Sequence, residues 1–232
     1  MRISVGLSGF AYKEWRGGFY PADLPDDGML AFYATQFPAV EINSTFYRMP
    51  SERLLLDWAS KVPEGFLFAI KASRRITHNH RLADVADLMD YLVRNVAVLG
   101  GRRGPLLFQL PPNMKLDLDR LRAFLPLLPP GWRVALECRH ASWHDDKVFS
   151  LLREHEVCLV ISDQEDATTP LVATAPWGYA RLHRAGYTDF ELREWAARIA
   201  GLEWSDCMVF FKHEEDIAGP EIARSFAGLT AG

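Results

Sequence analysis

The sequence predicts a (β/α)8 barrel of the TIM type, with a sixth crossover helix that is reduced or missing. Eight short apolar runs begin near residues 3, 38, 66, 105, 133, 157, 178 and 207, a spacing of roughly one strand plus one helix. Most of these runs end in an ionisable or amide side chain. No glycine-rich dinucleotide fingerprint follows the first run, so a closed barrel is favoured over the alternative, an open doubly wound sheet.

Helical patterns fill most of the gaps between these runs. An amphipathic stripe predicts a helix from about Asp84 to Leu99, which Gly100 and Gly101 stop. Further helices are predicted over residues 52–61, 117–128 and 188–200, and a short final helix from Pro220. Residues 164–177 contain two prolines and several small residues, so we expect a loop or a single turn in the sixth unit.

Length and composition indicate one globular domain spanning residues 1–232. The chain has 49% hydrophobic and 24% charged residues, without a visible repeat or linker. Its formal net charge of −4 argues against non-specific binding of nucleic acid over the whole surface, so any anionic partner is expected to be small. We expect a monomer or a small homo-oligomer.

Cysteine usage and the first residues predict a cytoplasmic protein. Cys138, Cys158 and Cys207 are widely spaced in apolar runs, which favours packing in the core of a reduced protein over metal or disulfide use. The chain enters a strand at once, without the apolar segment of a signal peptide, and no apolar span reaches transmembrane length.

Strand alternation predicts which polar groups point toward the barrel axis. In the second run Val40 and Ile42 belong to the helix-facing set, which leaves Glu41 and Asn43 pointing inward. The same argument, with less support where both faces are apolar, gives an inward set at the carboxyl ends of the strands, where barrel enzymes assemble their sites. The full set is Ser8, Glu41, Asn43, Lys71, Gln109, Glu137, Arg139, Asp163, Arg181, His183 and Lys212.

Two loop features add candidates for binding. The segment after the third strand carries Arg74 and His78, donors suited to phosphate or carboxylate, although a solvated basic loop is the alternative. Tyr47, Trp15 and Trp143 follow strands and could stack on a sugar or base, although loop aromatics more often pack against their own barrel. Arg102 and Arg103 precede a strand, so we assign them to the opposite, stability-related end.

Several motifs together resemble the YecE-like family, domain of unknown function seventy-two. The resemblance covers essentially the whole chain, and its most specific part is the stretch from Val40 to Tyr47. It implies a TIM-type barrel and carries no settled activity. The chain departs from the family pattern at Arg184, after Arg181-Leu182-His183, and at Lys212-His213-Glu214, so ionisable groups stand at the rim. The other matching segments are 6–12 with Trp15, Lys71 with Arg74, 76–78, 104–105, 108–112, Glu137 with Arg139, Ser142-Trp143 and Ser162-Asp163.

The leading hypothesis is an enzyme that acts on a small anionic, phosphorylated or sugar-like metabolite by acid/base chemistry. A modest surplus of inward cations over carboxylates favours such a ligand over a buried ion-pair network without any ligand. The anion would be held by Lys71, Arg74, Arg139 and Arg181. The acid or base would be Glu41, Glu137 or Asp163, and His78 or His183 would shuttle protons.

Two alternatives belong to other classes. In the first, Glu41, Glu137, Asp163 and His183 hold a divalent metal for phosphodiester cleavage or sugar isomerisation, although the neighbouring cations would repel it. In the second, a non-catalytic barrel binds a nucleotide or nucleic acid through the basic third loop. The sequence identifies no cofactor, and hydrolase- or isomerase-like chemistry is favoured.

Overall fold

A computed structural model describes residues 1–165, 167–212 and 217–230. The described helices are α1 Met29–Gln36, α2 Glu52–Ser60, α3 Ala86–Ala97, α4 Leu118–Phe124, α5 Asp146–Glu154, α6 Asp189–Ala200 and α7 Ala218–Thr230. The strands are β1 Arg2–Leu7, β2 Ala39–Ile42, β3 Leu67–Lys71, β4 Arg103–Gln109, β5 Val134–Glu137, β6 Cys158–Leu159, β7 Ile161–Gln164, β8 Ala167–Thr168, β9 Gly178–Leu182 and β10 Asp206–Phe211.

The strands form one sheet that curls into a barrel. Its order is β6-β5-β4-β3-β2-β1-β10-β9-β7-β8, and every pair except the antiparallel β7–β8 pair is parallel. The segment 158–164 joins the two sides of this order, because β6 pairs with β5 and β7 pairs with β9. A single residue, Val160, lies between them, and its N–H donates to the carbonyl oxygen of Leu136 (3.0 Å). The predicted barrel architecture is therefore confirmed.

The predicted elements agree with the observed ones to within a few residues. Helix α6 begins with Thr188 as its N-cap, and both halves of the capping box with Glu191 are present. The final helix, α7, starts two residues before Pro220 and, with 13 residues, is longer than the short helix that was predicted. No helix occurs in the described part of residues 164–177, as predicted. Two helices, α1 and α5, were missed.

The barrel interior below the carboxyl ends of the strands is apolar. Small residues on neighbouring strands, such as Ala39 and Ala69, leave room for the large rings of Tyr179 and Phe210. Gly6 is required here, since a Cβ atom on it would lie 2.2 Å from the carbonyl oxygen of Ala39. The other members of this interior cluster are Leu67, Leu107, Ala135, Cys158, Val160, Ala175, Trp177 and Met208.

A larger apolar core lies between the strands and the helices that surround them. It includes the opposite residues of the same strands, for example Val40 and Ile42 on β2 and Leu159 and Ile161 around β6 and β7. All three cysteines are buried and free, as predicted. Within the described chain, no helix combines the length and the apolarity needed to cross a membrane.

Candidate functional site

Two fully buried carboxylates and one arginine form the centre of the site. Glu41 is the second-last residue of β2, Glu137 ends β5, and Arg181 reaches both from β9. The Arg181 Nε and Nη2 atoms donate to the two carboxylate oxygens of Glu41, each at 3.0 Å. Its Nη1 atom donates to Oε2 of Glu137 at 2.5 Å. One guanidinium therefore bridges two carboxylates, and the three groups together carry one net negative charge.

Three neutral side chains also donate hydrogen bonds to the Glu41 carboxylate. The Ser8 hydroxyl (2.6 Å) and the Asn43 amide (3.0 Å) donate to Oε1, and the Tyr179 hydroxyl donates to Oε2 (2.6 Å). Burial by itself raises the pKa of Glu41, but the charge of Arg181 and these hydrogen bonds outweigh it and lower that pKa to about 2. Glu41 is therefore an ionised acceptor that fixes its neighbours rather than a group ready to take a proton.

Amide side chains hold Glu137 in the same way. Its Oε1 atom accepts from Nε2 of Gln109 (2.9 Å) and from Nε2 of Gln164 (3.2 Å). Gln164 also donates to the Ser162 hydroxyl oxygen (3.0 Å). These contacts link β4, β5 and β7 at one level of the barrel, directly above the apolar interior.

The hydrogen bonds around Ser8 fix the tautomer of His183. The Ser8 hydroxyl donates its proton to the ionised Glu41, so at its 3.0 Å contact with Nε2 of His183 the serine oxygen must accept. His183 therefore carries its proton on Nε2 and a lone pair on Nδ1. Burial and the nearby charge of Arg181 lower the pKa of His183 well below its ordinary value. The ring is neutral at pH 7, with a basic nitrogen that no described residue engages.

Lys71 is a buried cation that has no counter-ion in the part of the chain that the structure describes. It ends β3, its residue is only 9% exposed, and no ion pair or hydrogen bond to Nζ exists among the described residues. The Nζ atom lies 4.6 Å from the ring centroid of Phe46, a contact that compensates for only part of the lost hydration. Burial and the charge of Arg181 lower the pKa of Lys71 to about 8, against the weaker opposite effects of Glu41 and Glu137.

The rim above Lys71 carries further predicted residues. Arg139 is exposed and donates to Oε1 of Gln164 (3.1 Å). The His78 ring packs edge-on against Phe46 at 4.9 Å, and burial together with the charge of Lys71 lowers the His78 pKa. A cavity of about 180 Å³ lies beside Arg139 and is lined also by Ser162 and Gln164, whereas Lys71 and His183 are not among its lining residues.

Arg74 and Tyr47 stand further out. The Arg74 guanidinium lies 5.8 Å from the Tyr47 ring, and both residues are exposed, Tyr47 by 71%. Lys212 is exposed at the end of β10, while His213 and Glu214 lie outside the described residues. These groups surround the site at its surface and make no described contact with its buried carboxylates.

The prediction that Asp163 faces the barrel axis is wrong. Its carboxylate accepts from the hydroxyls of Tyr187 (2.7 Å) and Thr168 (2.8 Å), and Nε of Arg184 lies 3.8 Å away. Along this segment Cys158 and Val160 face the interior, so Asp163 falls on the opposite side. The sequence could not settle this, because both faces of the strand are apolar. The metal site built on Asp163 therefore loses one of its four ligands.

The prediction that Trp143 contacts a ligand is also wrong, and for Trp15 the favoured alternative, packing against the barrel, is the observed one. Both residues are fully buried in the core between strands and helices. The Trp143 indole N–H donates to the carbonyl oxygen of Met114 (2.7 Å), which joins two loops of the barrel. Neither ring is open to a ligand, so they stabilise loops that the site depends on.

The other three ligands of the metal hypothesis, Glu41, Glu137 and His183, are not arranged to hold a metal ion. Among the described residues, no group of three or more His, Cys, Asp or Glu side chains is arranged to hold a metal ion. Glu41 and Glu137 instead share the Arg181 guanidinium, which occupies the position between them. Cationic Arg181 and Lys71 make the same region unfavourable for a divalent cation.

Sequence reasoning missed Tyr179 and Gln164, and it placed Phe46 only among the aromatic residues that follow strands, without its contact to Lys71. Tyr179 stands two residues before Arg181 and therefore shares its inward direction, a signal that alternation alone could have used. Gln164 has the same relation to the interior residue Val160, four positions earlier. Phe46 lies in a short turn after β2, where no periodicity predicts which way a ring points.

Comparison with known proteins finds a protein family and two relatives of similar sequence. A family model described as "Protein of unknown function DUF72" matches residues 4–231. UPF0759 protein YecE of Escherichia coli (strain K12) is 31% identical over 140 residues, which are 60% of this chain and 48% of that protein. UPF0759 protein YunF of Bacillus subtilis (strain 168) is 30% identical over 79 residues, 34% of this chain and 27% of that protein. The match thus spans about half the length of the first relative.

Two solved structures share the fold over nearly the whole chain. The crystal structure of a DUF72 family protein from Thermotoga maritima MSB8 has a TM-score of 0.90 and 25% identity, and the match covers 100% of both chains. A DUF72 family protein from Enterococcus faecalis V583 has a TM-score of 0.84 and 18% identity, with 98% of this chain and 95% of that chain covered. With the family model matching from residue 4 to residue 231, this chain belongs to the DUF72 family of proteins of unknown function.

Proposed function

We propose that the carboxyl end of the barrel binds a small anionic, phosphorylated or sugar-like metabolite and acts on it by acid/base chemistry. The charge balance of the site carries this proposal. Arg181 is engaged by two carboxylates, whereas Lys71 and Arg139 have no carboxylate partner within the described chain. An anion between these two cations would supply the missing negative charge.

The position of Asp163 strengthens this argument. The sequence counted three inward carboxylates, but Asp163 points to the other side of its strand and contacts Tyr187 and Thr168. Two carboxylates and three cations, Arg181, Lys71 and Arg139, remain on the interior side. With the exposed Lys212 left out of both counts, the sequence predicted three carboxylates against these three cations, and the structure leaves one net positive charge at the end where barrel enzymes place their active sites.

His183 is the residue best suited to move a proton. Its Nε2–H is committed to Ser8, and its neutral ring leaves the Nδ1 lone pair as a base at pH 7. Glu41 holds Ser8 and so fixes the His183 ring, in the manner of a carboxylate that orients an imidazole through an intermediate group. Glu137 positions Arg181 and the side-chain amides of Gln109 and Gln164. Lys71 and Arg139 hold the anion.

Thermal denaturation with added anions tests this proposal. Inorganic phosphate and glucose 6-phosphate are compared with glucose and with sodium chloride at matched ionic strength, using the full chain. A bound anion stabilises the folded state by about 2.7 kcal/mol at 100 times its Kd, which raises the Tm by several degrees. We expect the Lys71→Met and Arg139→Met variants to lose most of this rise.

Arg122→Met is the matched control. Arg122 is exposed on α4 and pairs with Asp119 (3.1 Å), away from the site, so this variant should keep the full response to phosphate. The proposal fails if neither anion raises the Tm of the unsubstituted protein beyond the chloride control. It also fails if the three variants respond equally, because binding would then not depend on the site.

A further inference from the structure

We propose that Lys71 is a nucleophilic amine that forms an imine with an anionic aldehyde or ketone, because its Nζ is buried on a rigid strand end and has no hydrogen-bond or ion-pair partner among the described residues. This inference rests on the proposed function and narrows its substrate to carbonyl compounds. It gives different roles to Arg139 and Lys71, the two cations that lack a carboxylate partner in the described chain. Arg139 cannot lose its charge and holds the anionic group, whereas Lys71 can lose its proton and attack carbon.

Lys71 differs from every other lysine of the chain. It is the one buried lysine of six, all of which lie in the described residues. Lys13 and Lys61 pair with Asp26 (3.4 Å) and Asp57 (2.8 Å), and the other three are exposed. A lysine kept for charge alone would be expected at the surface or beside a carboxylate, and Lys71 is in neither situation.

The backbone of Lys71 is held rigidly. The N–H of the next residue, Ala72, donates to the carbonyl oxygen of Leu107 (2.8 Å), which continues the pairing of β3 with β4. The Lys71 carbonyl oxygen accepts from the buried hydroxyl of Thr45 at 2.6 Å. A nucleophile on a fixed strand end approaches a bound substrate from a defined direction.

The surroundings of Nζ favour the neutral amine. Burial and the neighbouring guanidinium of Arg181 lower the Lys71 pKa to about 8, so an appreciable fraction is unprotonated near neutral pH. Desolvation beside another cation is one of the ways in which proteins activate a lysine for attack on a carbonyl. The Phe46 ring, 4.6 Å away, shields the amine from water on one side.

The reaction balances without any added reagent. The Nζ lone pair forms a bond to the carbonyl carbon, and the C–O π electrons move to oxygen. The nitrogen loses two protons in all, the oxygen takes up two and leaves as water, and a C=N bond remains. Water addition reverses the sequence and releases the carbonyl compound. Neither oxidation nor reduction of the substrate is involved.

Reductive trapping tests this inference. The full chain is incubated with glyoxylate, a small anionic aldehyde, and with sodium cyanoborohydride, which reduces an imine to a stable secondary amine. Intact mass and peptide mapping then locate the adduct. We expect one adduct per chain, on Lys71, formed at least tenfold faster than on any exposed lysine and with a rate that rises with pH to a midpoint near 8.

Two variants make the result specific. Lys71→Arg keeps the positive charge without a nucleophilic amine, so it should lose the adduct yet retain the Tm rise with phosphate. Lys147→Arg changes an exposed lysine at the start of α5 and should trap glyoxylate as the unsubstituted chain does. The inference is overturned if adducts spread over exposed lysines, or if Lys71→Arg is modified at the unsubstituted rate.

The two proposals fail in different ways. If phosphate raises the Tm but glyoxylate does not modify Lys71, the anion site stands and the imine chemistry is wrong. If glyoxylate and the uncharged acetaldehyde modify Lys71 at equal rates and phosphate leaves the Tm unchanged, the anion site is wrong and the inference, which requires an anionic substrate, falls with it.

Discussion

The two halves of the barrel interior differ in polarity: the amino-terminal half is apolar and the carboxyl-terminal half is ionic. The amino-terminal half is filled by apolar side chains such as Leu107, Tyr179 and Phe210, whose burial stabilises the fold directly. The carboxyl-terminal half holds Glu41, Arg181 and their partners, where each charge must be matched by hydrogen bonds or it destabilises the protein. The comparison indicates that the first half stabilises the barrel, whereas the second half contributes to stability only where its charges are matched, and it is this second half that carries the proposed site.

Replacing Arg181 should have the largest effect. Arg181→Met leaves two fully buried carboxylates without their cation, and breaking a buried ion pair of this kind costs about 3 to 5 kcal/mol for one partner alone. We expect a loss of about 5 kcal/mol or more, measured by urea denaturation, or failure to fold. As a control, Arg184→Met removes a partly exposed arginine near Asp163 and should cost under about 1 kcal/mol.

A substitution in the apolar half should reduce stability without changing anion binding. Leu107→Ala removes a fully buried side chain from the interior and should cost between about 2 and 5 kcal/mol. The phosphate-induced rise in Tm should remain, because no contact of the ionic half is lost. If the response disappeared along with the stability, the two halves would not be separable as described.

Acidification should weaken the ionic half in two stages. The folded His183 has a lowered pKa, so the unfolded chain binds more protons below pH 6.5 and stability falls from that point. The pKa of Glu41 is lowered to about 2, so its stabilisation, up to roughly 3 kcal/mol, is present above pH 4.5 and is lost as the pH falls toward 2. Denaturation midpoints at several pH values measure both stages.

His183→Asn separates these stages, because it removes the His183 part of the first and leaves the second. Between pH 6.5 and pH 5 the variant should lose less stability than the unsubstituted protein, and the remaining decline comes from His78 and His144, whose pKa values burial also lowers. A decline of equal slope in both proteins would mean that His183 is not the group responsible. Stability that stays constant down to pH 3 would contradict the account of Glu41.

The smallest expected effect has the opposite sign. Lys71→Met removes an unpaired buried cation and keeps an apolar stem against Phe46, so at pH 7 it should stabilise the protein by about 1 kcal/mol, or a few degrees in Tm. The lowered pKa means that the unsubstituted protein gains stability as the pH rises from 8 to 10.5. The difference between the two proteins should therefore shrink across that range. A destabilised variant would indicate an unrecognised partner for Nζ.

The architecture could be predicted from the sequence because the strands are short, apolar and regularly spaced. Alternation also identified Glu41, Glu137, Arg181 and His183 correctly as inward, since on these strands an apolar set of clear parity faces the helices. Helices α1 and α5 were missed. Helix α1 has no clear amphipathic stripe, whereas α5 has one as distinct as that of α3 and begins after the Asp145 N-cap, so the sequence did carry a signal for α5.

Two kinds of information were not in the sequence. The direction of Asp163 depends on how Val160 joins β6 to β7, which is a property of tertiary pairing rather than of local pattern. The engagement of Arg181 by both carboxylates depends on side chains from three strands. Because the sequence does not show these ion pairs, we counted Arg181 among the anion ligands. The sequence could not tell that Arg181 is paired with carboxylates and that Lys71 is not.

The isolation of the Lys71 ammonium is the central claim, and its pKa tests that claim most directly. Lysine labelled with ¹³C at Cε reports protonation by NMR, and the Lys71→Arg variant assigns the signal. The account predicts a midpoint near pH 8 for Lys71, well below the other lysines, that moves upward when phosphate is added. A midpoint near 10.5, unchanged by phosphate, would show that Lys71 is solvated or paired and would contradict the account.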